Sequence, residues 1–287
     1  MPTRVMPRQE RIDGFLSSGR SAAQAGDWAA ASLAWIEAAK LGSVEGANLV
    51  SRVAAPQLKR SADAGDVEAQ AALAGIVMDY YDESALPRAV QYATQAAASG
   101  NAHAQRTLGF MYERGLGVEQ NLQRAVELWR QASHGGDGYA AFNLAGLHIR
   151  GDVPLANEDE CLQLLTVAAR RGVLEAGAVL GDRLGAVDRD EEALTWILWA
   201  AERGYVDAMF AAGCWYRDGI GTLRNEVQAM RWYFTMLDHG SGDGVHEAIQ
   251  LAKAGMTDEQ IREAARLAGR EADGEVTIQT LDALRHP

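Results

Sequence analysis

The stretch LGFMYERGLGVEQN, Leu108 to Asn121, decides how the chain is read. Two glycines two residues apart, Gly115 and Gly117, can cradle a phosphate or can turn the chain between two helices. A phosphate-binding glycine loop follows a strand, and the P-loop version also needs a Lys followed by Ser or Thr. Neither is present. A helix-period apolar pattern runs on both sides, and the same loop recurs as YRDGIGTLRN at Tyr216 to Asn225. The reading is therefore a turn in which both glycines take positive φ, ending one helix and admitting the next.

That recurrence extends along the chain. Gly136, which closes QASHGG, belongs to a set with Gly42, Gly65, Gly100, Gly172, Gly204 and Gly240, at intervals of 23, 35, 36, 36, 32 and 36 residues. Eleven residues before each anchor lies a small residue: Ala31, Ala54, Ala89, Ala125, Cys161, Ala193 and Ala229. Minus four and minus three are mostly Ala, with Met236-Leu237 the large exception. At minus eight or minus seven a bulky residue recurs: Trp35, Tyr92, Trp129, Leu165, Trp196 and Trp232. After the anchor, plus four is small, plus eight is mostly aliphatic and plus nine is usually Gly or Ala. These spacings fall on one helical stripe, so each unit reads as helix, loop, helix and glycine turn. The small positions let backbones approach while Trp or Leu fills the space between helices. A single unit cannot bury its stripe alone. Stacking buries it, which predicts an all-α, α/α solenoid.

Composition narrows the function classes. The 287 residues carry a formal net charge of -12, which argues against a broad basic surface and hence against nucleic acid or anionic membrane as partner. The N-terminal sequence contains no apolar signal-like run, and no stretch of about 18 apolar residues occurs, so a cytoplasmic protein is expected. Lysine occurs only as Lys40, Lys59 and Lys253, and with the abundance of Ala this suggests a GC-rich, bacterial genome. Cys161 and Cys214 have neither disulfide-framework nor metal-ligand spacing.

The units at Ala104 to Gly136 and Ala208 to Gly240 resemble Sel-one-like repeats, a subclass of the tetratricopeptide-like helical repeats. The residues that carry the resemblance are Ala104, Leu108, Gly109, Tyr112, Gly115, Gly117, Val118, Ala125, Trp129, Ala132 and Gly136. The likeness extends, with decreasing quality, over about residues 27 to 245. It implies a right-handed superhelix of antiparallel helix pairs. The domain reading is an N-terminal segment and first helix at 1–26, the solenoid at 27–245 and a C-terminal capping helix and tail at 246–287. Departures are visible. The unit from Gly42 to Gly65 has lost its inter-helix loop, and Pro56 is expected to begin the next helix. The connections HIRGDVPLANEDE and LGAVDRDEEA replace the double-glycine turn. Thr257 with Gln260 forms a capping box for a terminal helix, and the tail from Glu271 to Pro287 is expected to pack weakly.

Chemistry-bearing patterns are sparse. S-x-x-K, G-x-S-x-G and H-E-x-x-H are absent, since Gln250 stands where a second His after His246-Glu247 is needed. The cluster Asp238 to Glu247 reads as an inter-repeat turn around Gly240 rather than a metal or phosphate site. His148 replaces the tyrosine of other units and reads as a packed histidine, and Cys161 as a core thiol. The acidic runs NEDE and DRDEE precede helix starts, where carboxylates favour the helix dipole. No catalytic residue, cofactor or metal is assigned.

What remains is a surface. The resemblance implies that the first helix of each pair lines a concave face, with plus three, six, ten and thirteen pointing into it. This selects His103, Arg106, Phe110 and Glu113, then Tyr139, Phe142, Gly146 and Ile149, and later Asp207, Phe210, Cys214 and Arg217; of these, His103, Arg106, Phe110, Glu113, Tyr139, Phe142, Phe210 and Arg217 are the eight expected to bind the partner. Aromatic and arginine side chains in a groove have the composition of interaction hot spots. Phe142 and Phe210 fit packing between helices equally well. The expectation is a non-catalytic scaffold or adaptor that binds a peptide or protein on its concave face. The alternative is a cytoplasmic immunity protein or chaperone for a secreted bacterial effector.

Overall fold

The computed structural model describes residues 8–80, 83–153 and 158–285, and these form helices and turns with no strand among them. The chain is an all-α solenoid of helix pairs, divided into two compact units, Gln9–Gly172 and Val173–Pro287. Residues 1–7 of the N-terminal segment and residues 154–157 of the HIRGDVPLANEDE connection lie outside the described residues, as do the last two of the tail.

The first unit runs through α1 (Arg8–Gln24), α2 (Trp28–Lys40), α3 (Val44–Leu49), α4 (Ala55–Asp63), α5 (Val67–Tyr80), α6 (Leu86–Ala98), α7 (Ala102–Arg114), α8 (Leu122–His134), α9 (Gly138–Ile149) and α10 (Glu158–Arg170). The second holds α11 (Leu174–Gly185), α12 (Asp190–Ala201), α13 (Val206–Asp218), α14 (Glu226–Leu237), α15 (Asp243–Lys253), α16 (Asp258–Ala268) and α17 (Glu271–Arg285). Within each unit, sequence neighbours pack against each other.

The anchor glycines sit at φ between 77° and 94°, a conformation that only Gly adopts without strain. In four units the next residue caps the following helix: the side chains of Ser43, Asp66, Asn101 and Asp137 accept from the backbone N–H groups of Gly46, Ala69, Ala104 and Ala140. Gly115 and Gly117 both have φ of 69°, and Gly115 ends α7 in the left-handed conformation. A Cβ on Gly117 would stand 3.0 Å from Val90 and 3.1 Å from Leu86, so this glycine also lets the loop lie against α6. The double glycine turns the chain, as expected.

The small residue at plus nine has a specific partner. A Cβ on Gly109 would lie 2.5 Å from Trp129 Nε1, one on Gly181 2.5 Å from Ile197 and one on Gly213 2.3 Å from the Tyr233 ring. The bulky position that fills this notch is therefore minus seven, held by Trp129, Ile197 and Tyr233. In the two later units the expectation of Trp196 and Trp232 is one residue out, because one residue turns a side chain by about 100° around the helix. Trp196 is half-buried, with its ring 5.8 Å from that of Trp199, and Trp232 is buried beside the stripe instead.

The short unit after Gly42 differs more. Residues Val44 to Asp63 form one helical run, with a π segment at Val50–Ala54 joining α3 to α4. Pro56 lies in the first turn of α4, as expected, but no break separates α4 from what precedes it. A proline within a helix has no N–H to donate and its ring presses on the carbonyl four residues back. The wider turn immediately before Pro56, where the Ala55 N–H reaches the Val50 carbonyl, accommodates that clash. One helix thus crosses where two are expected. As a result α2, read from sequence as the second helix of a pair, joins the row of α5, α7 and α9.

The C-terminal tail is also corrected. It forms α17, with Ile278 and Leu281 buried against the core that includes Ile261, Ala264 and Ala265. Gly274 permits this packing, since a Cβ there would meet Ala265 at 2.6 Å. The Thr257 and Gln260 capping box is present at the start of α16.

Candidate functional site

In the Gln9–Gly172 unit, α2, α5, α7 and α9 enclose a groove of about 490 Å³. α2 contributes Leu33, Ile36, Glu37 and Lys40, and α5 contributes Ala72, Gly75 and Met78. α7 supplies His103, Arg106, Thr107 and Phe110, and the start of α9 supplies Asp137, Tyr139 and Asn143. Three large apolar side chains of the lining are open to solvent: Leu33 is 47%, Tyr139 40% and Phe110 36% exposed.

Arg106 organises the polar side. Its Nε donates to Asp137 Oδ2 at 3.0 Å and its Nη2 lies 2.8 Å from His103 Nδ1. Its guanidinium stands 5.5 Å from the Tyr139 ring centroid. Asp137 is itself held in place, because Oδ1 caps α9 by accepting from the Ala140 N–H at 2.9 Å. The Arg106 backbone is fixed too: its carbonyl accepts from Trp129 Nε1 at 3.0 Å. Lys40 reaches the same tyrosine ring at 5.8 Å and pairs with Glu37 at 2.8 Å. A side chain locked this way loses little further freedom on binding.

His103 is neutral. Burial, followed by the neighbouring Arg106 charge, lowers its pKa to about 4. Arg106 donates to Nδ1, so the imidazole proton sits on Nε2. That nitrogen faces α5 at Gly75, where an added Cβ would stand 3.3 Å away.

His103, Arg106, Phe110 and Tyr139 thus come together in one groove. Glu113 shares α7 with them but lies outside the lining, only 9% exposed. It is clasped by Arg150 at 2.8 Å and Arg114 at 3.0 Å. Phe142 on α9 is half-buried and also outside the lining. Phe210 and Arg217 belong to the Val173–Pro287 unit. There Phe210 lines one groove, and Arg217 lines a neighbouring cleft in which it pairs with Asp218 at 2.8 Å and Glu247 at 3.4 Å. Sequence reasoning missed Leu33, Ile36 and Lys40. The signal was the 23-residue interval after Gly42, which changes the row to which α2 belongs.

Other singled-out residues are structural. His148 Nδ1 bonds the Val153 carbonyl at 2.9 Å, and neither cysteine is in a disulfide. Among the described residues no group of His, Cys, Asp or Glu is arranged to hold a metal, and no helix is long and apolar enough to cross a membrane.

The Sel1 repeat model matches residues 67–101, 102–137, 138–173 and 206–241. The chain is a Sel1-repeat protein. A solved Sel1 repeat protein from Oxalobacter formigenes is similar at 24% identity and a TM-score of 0.61, covering 84% of this chain and 76% of that one. Among named relatives, the DAP3-binding cell death enhancer 1 of Mus musculus is 41% identical over 76 residues, 26% of this chain and 15% of that protein. The ERAD-associated E3 ubiquitin-protein ligase component HRD3A of Arabidopsis thaliana is 24% identical over 177 residues, 54% of this chain and 25% of that protein. The match therefore spans a quarter or less of these two relatives. The α11–α12 pair falls between matched Sel1 repeats, consistent with its short connection LGAVDRDEEA. Sel1-repeat proteins are in general protein-interaction scaffolds.

Proposed function

We propose that this protein is a non-catalytic, cytoplasmic scaffold that binds a peptide or protein segment in the groove formed by α2, α5, α7 and α9. The observation that carries the reading is the grouping of exposed Leu33, Phe110 and Tyr139 around an arginine already held by Asp137 and His103. Aromatic and arginine anchors in a concave, preformed site account for most of the energy of many interfaces. The names of two relatives, a DAP3-binding protein and a component of a ubiquitin ligase, fit an assembling role. Binding of this kind requires no titrating residue, and the one imidazole in the groove is neutral.

The test is affinity purification from the native host with quantitative mass spectrometry, comparing wild type with an Arg106→Glu, Phe110→Asp variant whose circular dichroism and thermal midpoint match wild type. A stoichiometric partner recovered by wild type and lost by the variant supports the groove. A partner held equally by both places binding elsewhere.

A further inference from the structure

The Val173–Pro287 unit has its own groove, of about 500 Å³, between the first turn of α13, the end of α14 and the start of α15. Its apolar wall is Val206, Met236 and the Phe210 ring, which is 38% exposed and rests tilted on Tyr233 with centroids 6.2 Å apart. Its polar lining is Asp207, Ser241, Asp243, His246 and Glu247, three carboxylates to one imidazole. Asp207 and Asp243 are exposed and make no ion pair among the described residues, while Glu247 meets Arg217 at 3.4 Å. The other groove is different: there Glu37 is paired with Lys40 and Asp137 with Arg106. Burial first, then the carboxylates of Asp207 and Glu175, push the Tyr205 hydroxyl up to about 12.

We propose that this second groove docks a partner protein through a protruding arginine or lysine, with its stem across Phe210 and its cationic head among Asp207, Asp243 and Glu247. An aromatic face attracts a cation through its quadrupole, and carboxylates form charge-assisted bonds to it. An apolar side chain alone would leave the carboxylates unanswered, and an acidic one would be repelled. The net charge of -12 draws the same class of partner from a distance. The site is independent of the groove proposed above, so either assignment can fail without the other.

The test is a titration of the 15N-labelled full chain with three blocked tripeptides, acetyl-Ala-Arg-Ala-amide, its citrulline counterpart and its glutamate counterpart, read by amide chemical shifts. The expected result is saturable shifts at Phe210, Asp243 and Glu247 with the arginine peptide, at least about tenfold weaker with citrulline and absent with glutamate. An Asp243→Asn, Glu247→Gln double variant, whose spectrum away from the groove is unchanged, should weaken arginine binding by about tenfold or more, and Arg106→Glu should leave it unchanged. Equal binding of arginine and citrulline, undiminished binding by the double variant, or no shift in the groove would each overturn the proposal.

Discussion

Replacing Gly109 with Ala tests the packing rule on which the repeats depend. An added Cβ would stand 2.5 Å from Trp129 Nε1 and 2.6 Å from Cδ1, where an unstrained contact needs about 3.5–4.0 Å. The indole must retreat by about 1 Å, yet Trp129 is 1% exposed and has nowhere to go. Overpacking of this kind costs about 1–3 kcal/mol, and stretching the Trp129 bond to the Arg106 carbonyl costs about 1 kcal/mol more. Ala returns about 1 kcal/mol of helix propensity. The net expectation is a loss of about 1–3 kcal/mol, a fall in thermal midpoint of roughly 2–12 °C. Gly14→Ala is the matched control, because Gly14 is exposed in α1 with nothing within 4 Å of a Cβ. There the same substitution should stabilise by about 0.5–1 kcal/mol. Differential scanning calorimetry of both variants reads the two signs. If Gly109→Ala were as stable as wild type, the account of Trp129 seated on a glycine notch would be wrong.

Three further outcomes follow from named contacts. His103 is held neutral in the fold with a pKa of about 4 against 6.5 when unfolded. The unfolded chain therefore binds the extra proton between these values, so stability falls as pH drops from 6.5 towards 4, by at most about 3 kcal/mol from this group. Urea unfolding at a series of pH values, wild type minus His103→Leu, should display that slope in this window and none above it. Gly75→Leu should fill the groove beside His103 and weaken partner binding by roughly tenfold or more, with the thermal midpoint changed by only a few degrees. Thr257→Ala removes the capping box of α16 and should cost about 1 kcal/mol, read as faster amide hydrogen exchange in Asp258–Ala268.

The repeat was legible because its causes are local. A positive-φ turn accepts little but glycine, a helix start favours Asp or Asn beside it, and a tryptophan between helices needs a notch opposite. Each leaves a residue type at a fixed spacing, so Gly136, Trp129 and Gly109 could be read directly. Four of the eight proposed partner-binding residues converge for the same reason, being on the inward face of α7 or the start of α9. The misassignments arise where the cause is not local. Leu33 and Lys40 reach the groove only because a π segment ahead of Pro56 fuses two expected helices, and no residue in α2 itself records that change. Glu113 lies in the expected register, but its carboxylate is claimed by Arg150, which is 37 residues away. The tail was misjudged because Ile278 and Leu281 are spaced for a helix whose packing surface, on α15 and α16, belongs to no repeat.

Site-specific photo-crosslinking in the native host tests whether a partner lies in the groove shared by α2 and α7. A benzophenone side chain would replace Leu33, Phe110 or, as control, Val167, which is 40% exposed on α10 and outside the groove lining. One and the same partner is expected to crosslink from positions 33 and 110, and none from position 167. Crosslinking from 167 with none from 33 would contradict it.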